Sequence, residues 1–424
     1  AEMGLARARI LHGRVAETLE EHLSPEAPDK ADILAFHFSR ADPGRQGAKA
    51  ALYLALAGEG ALERFGHPEA AKYLRAALER LDRLEPTQRA EATLPGGRGG
   101  VLRKLGRALA RMGQYRSALE VWAEGLELAQ EAGDSESEAD LHRRIGIIRA
   151  AQGDSQQALD EFQAALEALE KSPQASSPIL TTRIRLRRGI CLEELGRAQE
   201  AELEMQGAMA LAEGHGDPVL LAQAHRALVL YHIWTGHPDR VRVHAGQALE
   251  LARASGARSV EFWTCWGLAV QEGLLGNTGR MSELIGEAES AAQALRSPLL
   301  RLWTAELSIE LAAATGEWAT GIAVGEQAIA LARDLSQTTL LPRLLVWTSL
   351  IYLGRGEVDL ARPLVEEAWD ISGAGGPGPR NIHAAIPAYI GKGYLALTLE
   401  QFGEAVEYGL RGLKLAEEGG YRLW

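Results

Sequence analysis

The sequence predicts an all-α protein: a right-handed α-solenoid of helix–turn–helix repeats, preceded by a short N-terminal helical cap. Three observations predict it. Apolar residues recur at three- and four-residue spacing, and strand-like alternation is nearly absent. Glycine is abundant, 46 of 424 residues against 16 prolines, and it is spread along the chain rather than held in one block. The glycines also return at a fixed period, at Gly113, Gly153, Gly196, Gly236, Gly276, Gly316 and Gly356, in steps of 40, 43, 40, 40, 40 and 40 residues.

Each unit reads as helix A, a turn and helix B. The turn glycine frees the backbone to reach positive φ where helix A ends. Five positions later stand Ala118, Ala158, Ala201, Val241, Met281, Gly321 and Ala361, mostly small, which lets the two helices approach. Seven positions further, on the same face, stand Gly125, Ala165, Ala208, Ala248, Ala288, Ala328 and Ala368. Bulky residues fill the gap between them (Trp122, Phe162, Met205), facing glycines on helix A at Gly58, Gly106, Gly146 and Gly189. The last unit keeps Ala405 and Gly412, and an early one keeps Ala70 and Ala77.

This pattern resembles the tetratricopeptide repeat, most clearly at Leu105-Gly106, Gly113, Tyr115, Ala118, Trp122 and Gly125. The usual unit has about 34 residues. Here the units run to 40 or more, so each helix is about one turn longer. The expected organisation is an N-terminal cap over residues 1–45, a first repeat-like pair over 46–93, a main array over 101–371, and a C-terminal repeat over 381–424. Leu94 to Gly100 reads as a flexible joint, and Ser372 to Pro379 as a second break.

The N-terminal run is off-repeat. It contains Ala6 to His12, Val15 to Glu20, Ile33 to Phe38, Ala48 to Tyr53, Ala57-Gly58-Glu59, Ala61, Phe65 and Pro68-Glu69-Ala70. It resembles the region that joins the ATPase and winged-helix parts of STAND-type signalling ATPases, including MalT-like (LuxR-type) transcriptional regulators, to their repeat arrays. That resemblance implies a sensor array within a larger protein, and the start at Ala1 and stop at Trp424 read as an excised piece of one. No G-x-x-x-x-G-K-[ST] string occurs, so the nucleotide-hydrolysing part is not in this sequence.

Composition excludes several classes. The formal net charge of −12 disfavours direct nucleic-acid binding. No apolar run is long enough to span a membrane and no signal peptide opens the chain, so the expected location is cytoplasmic. Cys191 and Cys265 sit in apolar helical patterns and read as buried thiols. Catalytic strings such as H-E-x-x-H and G-x-S-x-G are absent, and no cofactor or metal is expected. His225, His232 and His237 read as packing or surface residues. Glu193-Glu194 and Glu366-Glu367 read as solvated faces.

The remaining candidate is the concave face, lined by the A helices. The repeat register places Arg103, Arg107, Arg111, Arg143, Arg183 and Arg226 on it, followed by Trp234, Trp263, Trp266, Trp303, Glu306, Glu310 and Tyr394, with Trp347 one step off the stripe. Trp122, Trp318 and Trp369 fall instead at A–B packing positions. Two readings of the groove tryptophans stand: rings that bind a partner, or rings that fill wider gaps between long repeats. The arginines likewise either hold an anionic partner or pair with Glu on neighbouring helices. The expected function is non-catalytic sensing. A protein segment, a peptide or a small-molecule inducer would sit in the groove and act on the ATPase core of the same parent. The alternative is a stand-alone scaffold for peptide or protein partners.

Overall fold

The computed structural model describes residues 4–23, 30–171, 177–376 and 381–422, and every regular element among them is helical. Two compact units divide the chain, residues 1–137 and 138–424. Unit 1 holds α1 (Leu5–His22), α2 (Lys30–Arg40), α3 (Pro43–Glu63), α4 (His67–Asp82), the short α5 (Pro86–Glu91), α6 (Gly97–Arg111) and α7 (Tyr115–Ala132). Helix α8 (Ser135–Ala151) enters unit 2 at Glu138. It is followed by α9 (Ser155–Glu170), α10 (Pro178–Glu194), α11 (Ala198–His215), α12 (Pro218–Trp234), α13 (Pro238–Ser255), α14 (Arg258–Leu274) and α15 (Thr278–Ala294). The series ends with α16 (Pro298–Thr315), α17 (Trp318–Asp334), α18 (Leu340–Gly354), α19 (Val358–Ser372), α20 (Ile382–Thr398) and α21 (Phe402–Glu418).

The helices pair as the period requires: α3 with α4, α6 with α7, α10 with α11, and so on to α20 with α21. All seven periodic glycines have positive φ, between 74° and 82°. Close packing follows from glycine on one helix and bulk on the other. A Cβ added at Gly106 would stand 2.1 Å from Trp122 Nε1, and one at Gly146 2.8 Å from Phe162 Cε1. Gly58 meets Leu74, and Gly189 meets Met205, in the same way. In later repeats the helix-A glycine is lost and the exchange reverses. Gly412 on α21 then lies under Tyr389 of its partner α20, while Gly325 on α17 lies under Thr348 of α18, the first helix of the next repeat.

In unit 2 the A helices α10, α12, α14, α16, α18 and α20 also pack side by side, whereas the B helices make no comparable contact with one another. Tighter spacing in one layer curves the stack toward that layer, so the A helices form the inner face. The curvature brings late repeats back onto early ones. Thr339, just before α18, donates through Oγ1 to Ala150 O (3.4 Å) beside the α8–α9 turn. Ile382, Ile386, Ala416 and Tyr421 join Val229, Ile233, Trp234 and Trp266 in one apolar core.

Three local expectations change. The stretch 94–100 is not a free joint: Gly97 to Gly100 form the first turn of α6, and Gly100 is pressed against Pro95 O, where a Cβ would stand 2.6 Å away. At the second break, α19 ends at Ser372, Gly373 turns at φ 66°, and buried Ala374 accepts a bond from Tyr389 (2.8 Å); residues 377–380 lie outside the described residues. Trp318 is not core. It opens α17 at 37% exposure, two residues after the turn glycine rather than at the Trp122 position nine residues after it. Trp122 is buried, and Trp369 is half-buried against Tyr389 and Tyr408.

Gly106→Ala should destabilise unit 1 by roughly 1–3 kcal/mol, the usual cost of overpacking a rigid contact, because Trp122 must leave its place. Urea unfolding followed by Trp fluorescence measures this. Gly246→Ala, where a Cβ meets nothing within 4 Å, is the control and should not destabilise.

Candidate functional site

The predicted groove residues fall in both units. In unit 1, half-buried Arg103 donates to Ser137 Oγ (3.0 Å), while Trp122 Nε1 donates to Arg103 O (3.2 Å). Arg107 and Arg111 are exposed and both engaged in interactions. They face His67, whose pKa is pushed down to about 4 by burial and then by these two cations. The i, i+4, i+8 row therefore has a neutral imidazole beside it.

In unit 2 the aromatic part of the stripe is enclosed. Trp266 is 4% exposed and its Nε1 donates to Trp303 O (3.1 Å). Trp263, Trp266 and Trp303 meet edge to face, with centroids 5.3–5.8 Å apart. Trp234 is also 4% exposed, its ring 4.8 Å from His383 and 6.1 Å from Tyr421. Trp347 is half-buried, with a buried Nε1 that has no hydrogen-bond partner. Tyr394 is exposed on the last helix pair, outside this cluster. Late repeats returning over the stripe thus cover the rings that the sequence left open to solvent.

The charged residues divide in the same way. Glu306 is fully buried and ion-paired with Arg343, whose Nη1 also reaches His383 O (3.5 Å). Burial pushes the Glu306 carboxyl upward against the pull of Arg343, and Glu306 Oε2 has no hydrogen-bond partner. Glu310, one turn on, is pushed up by burial and by Glu306. Both carboxyls are therefore biased toward the protonated form.

Toward α8–α12 the inner face is cationic. Arg143 is held by Asp140, which Arg144 also pairs. Arg187 is exposed; desolvation disfavours its cation while Glu194 favours it. Arg226 is 8% exposed and makes no hydrogen bond or ion pair among the described residues. Burial disfavours its cation, and so does repulsion from Arg187, which also acts on Arg143. Such guanidinium groups keep their protons at neutral pH; Asp140 compensates Arg143 and Glu194 attracts Arg187, whereas Arg226 has no ion pair among the described residues. Arg183, one turn before Arg187, is half-buried.

Several members of this face were not among the residues singled out from sequence. Arg187 shares the Arg183 stripe and was legible from that spacing. Glu193 and Glu194 are not a solvated face. Glu193 is 6% exposed, bonded to His383 (3.0 Å) and to the Tyr421 hydroxyl. Glu194 accepts from Ser155 Oγ (3.0 Å), and its pKa is pushed up to about 7, chiefly by burial. Glu366 and Glu367 are each paired, with Lys392 and Arg333. His225 is joined by His244 of α13, their Nδ1 atoms 2.9 Å apart, and His232 stacks on the same ring. Cys191 and Cys265 are buried free thiols. Among the described residues no helix is long and apolar enough to cross a membrane.

Residues 98–171 match the tetratricopeptide repeat family. A comparison with curated proteins gives no sequence match. Among solved structures, a Rap protein complexed with competence and sporulation factor is similar at a TM-score of 0.59 and 13% identity, over 88% of this chain and 99% of that one. The apo form of RapI is similar at 0.53 and 14%, over 68% and 99%. A STAND protein with a tetratricopeptide repeat sensor from Pyrococcus horikoshii is similar at 0.50 and 13%, over 92% of this chain and 54% of that one. At these identities the likeness is one of fold: the chain is an all-α solenoid of the tetratricopeptide type.

Glu194 gives the inner face a pH signature. Its folded-state pKa, about 7, lies above its ordinary value of 4.5, so the unfolded chain releases this proton first. Stability contributed by the protonated carboxyl is full below pH 4.5 and is lost as pH rises toward 7, on the order of 3 kcal/mol in all. Glu194→Gln should flatten the fall of Tm between pH 5 and 8, with the variant gaining on the parent as pH rises. Parallel melting curves for the two proteins would contradict this assignment.

Proposed function

We propose that this chain is a non-catalytic interaction and sensing module that binds an acidic protein segment or peptide on the α8–α12 half of the unit 2 inner face. Arg143, Arg183, Arg187 and Arg226 are the residues assigned to the ligand's anionic groups. The observation that carries the reading is Arg226, 8% exposed and without a hydrogen bond or ion pair among the described residues, with the Arg187 guanidinium near enough to repel it. Holding two such charges together is costly unless an anion completes them. The net charge of −12 makes this cationic interior the exception on an acidic protein.

The enclosed Trp263, Trp266 and Trp303 cluster takes a supporting part here. It holds the pitch of the middle repeats, so an anion that draws the α8–α12 repeats together is felt along the stack. The Rap protein solved with competence and sporulation factor and the STAND protein with a tetratricopeptide repeat sensor give this fold a precedent for such work. We assign the chain the same place, as the sensor array of a larger signalling ATPase of the transcription-regulator kind. The off-repeat N-terminal run and the long repeats support this assignment.

Two fluorescein-labelled peptides of equal length, one rich in Asp and Glu and one rich in Lys, test the site by anisotropy. The acidic probe should bind and weaken with added salt, and the basic probe should not. Arg226→Met, which keeps the packing volume, should weaken the acidic probe by about tenfold or more. Equal binding of both probes, or no effect of the Arg226 change, would overturn the assignment.

A further inference from the structure

The chain after α21 does not trail into solvent. Gly419 to Arg422 run across the ends of α10 and α12, far from them in sequence. The Arg422 N–H donates to Trp234 O (3.0 Å). Tyr421 is 5% exposed. Its hydroxyl bonds the Glu193 carboxylate and lies 3.1 Å from Glu193 O and 3.0 Å from His383 Nε2. The ring stands edge-on to His383 at 5.4 Å and tilted to Trp234 at 6.1 Å.

The floor of this slot is two repeat turns. A Cβ at Gly196 would stand 3.0 Å from Gly419 Cα, and one at Gly236 would stand 3.0 Å from Arg422 Cβ. At Gly276, Gly316 and Gly356, the later turns of the same series, a Cβ would meet nothing within 4 Å. Gly153 is likewise approached by a distant stretch, with the Thr338 and Thr339 hydroxyls 3.3 and 3.7 Å from its Cβ position; Gly196 and Gly236 are the two turns approached by the returning C-terminal segment. The slot therefore has a phenol pocket with both a carboxylate and a carbonyl acceptor, an acceptor for one peptide N–H, and a floor that admits backbone closely. Gly419 and Gly420 close the end of α21, with Gly420 at φ 79° and the Tyr421 N–H donating to Ala416 O (2.8 Å), so these are the requirements for holding a glycine turn followed by a tyrosine.

We propose that the cleft between the C-terminal ends of α10 and α12 is a peptide-binding site for a segment in which a glycine turn presents a tyrosine, occupied in cis by residues 419–422. A partner segment with the same chemistry, small residues before a tyrosine and an accessible N–H after it, competes for the cleft and lifts the C-terminal segment away. The tether gives the cis segment an effective concentration in the millimolar range, so a free segment binds weakly until the cis contact is broken. The cleft shares Glu193 and His383 with the inner face but uses none of Arg143, Arg187 or Arg226. It therefore stands or fails independently of the acidic-ligand reading.

The probe is a labelled peptide carrying the sequence of residues 417–422, Glu-Glu-Gly-Gly-Tyr-Arg, as its amide. In the full-length chain, Tyr421→Ala should bind it at least about tenfold tighter than the parent does. The same peptide with Phe for Tyr should bind several-fold more weakly, having lost its bond to Glu193. A folded Tyr421→Ala chain that binds the probe no better than the parent overturns the proposal. Should that variant not fold, the parent chain decides. Probe at millimolar concentration should speed hydrogen exchange of the Arg422 amide, and unchanged protection overturns the proposal. The acidic peptide of the preceding section, measured on the same proteins, reports separately on the arginine face.

Discussion

The early repeats depend on one steric exchange: a position without a side chain on helix A, set against a bulky side chain on its partner. Trp122 occupies the space above Gly106, Phe162 that above Gly146, and Met205 that above Gly189. With the glycine on helix A, the helix-B side chain packs against the backbone of its partner, and the pair becomes a thin plate. In the last pair the glycine moves to helix B, at Gly412, and the bulk to helix A at Tyr389, while Gly325 admits Thr348 of the next repeat. Thin plates stack with their A helices in contact, and that contact curves unit 2. Its inner face and the return of its last helices onto its first both follow from that curvature.

Closure then decides the electrostatics. The stripe of A-helix positions is one geometric feature, but its residues end in three environments. Where the late helices return, the tryptophans become core and Glu306 meets Arg343, which compensates its buried charge. At the junction, Glu193 is satisfied by His383 and Tyr421, residues contributed by α20 and the C-terminal segment. Beyond the junction Arg226 has no ion pair among the described residues, and Arg187 adds to its cost. A carboxyl raised toward neutrality at Glu194 sits between these zones. Removing positive charge would stabilise this region more simply than leaving it desolvated. That cost is what the proposed anionic ligand would offset.

The fold was legible because its determinants are local. A turn needs positive φ, a close helix contact needs a missing Cβ, and both recur at one period, so Gly113 through Gly356 could be read directly. The site was legible only in part. The register placed Arg143, Arg183 and Arg226 with the tryptophans on one stripe. It could not tell which of them would be covered, because cover comes from other repeats: Trp303 meets Trp266, and His383 and Tyr421 meet Trp234. His383 reaches Glu193 across 190 residues and Tyr421 reaches it across 228, and no periodic signal encodes either contact. For the same reason Glu193-Glu194 passed for a solvated pair. Trp318 stands two residues after its turn glycine, as Tyr115 does, not nine as Trp122 does, so it does not share the Trp122 packing position. The glycines at 97–100 suggested a joint, yet Pro95 and Gly96 turn the chain so that they start α6.

The turn glycines carry one more consequence. A residue chosen for positive φ also leaves its Cβ direction empty, so each turn of the solenoid presents a bare patch of backbone at the rim of the inner face. Most of these patches in the later repeats have nothing near them. Curvature aligns two, at Gly196 and Gly236, with the segment that follows α21, and that segment uses them as a floor. No residue type had to change in either repeat to make a slot for this segment. The constraint that defines the repeat already supplied the clearance, and Trp234, Glu193 and His383 supplied the contacts. A solenoid of this kind therefore needs only curvature to convert a structural turn into a site for a second strand of polypeptide, whether that strand is its own or a partner's.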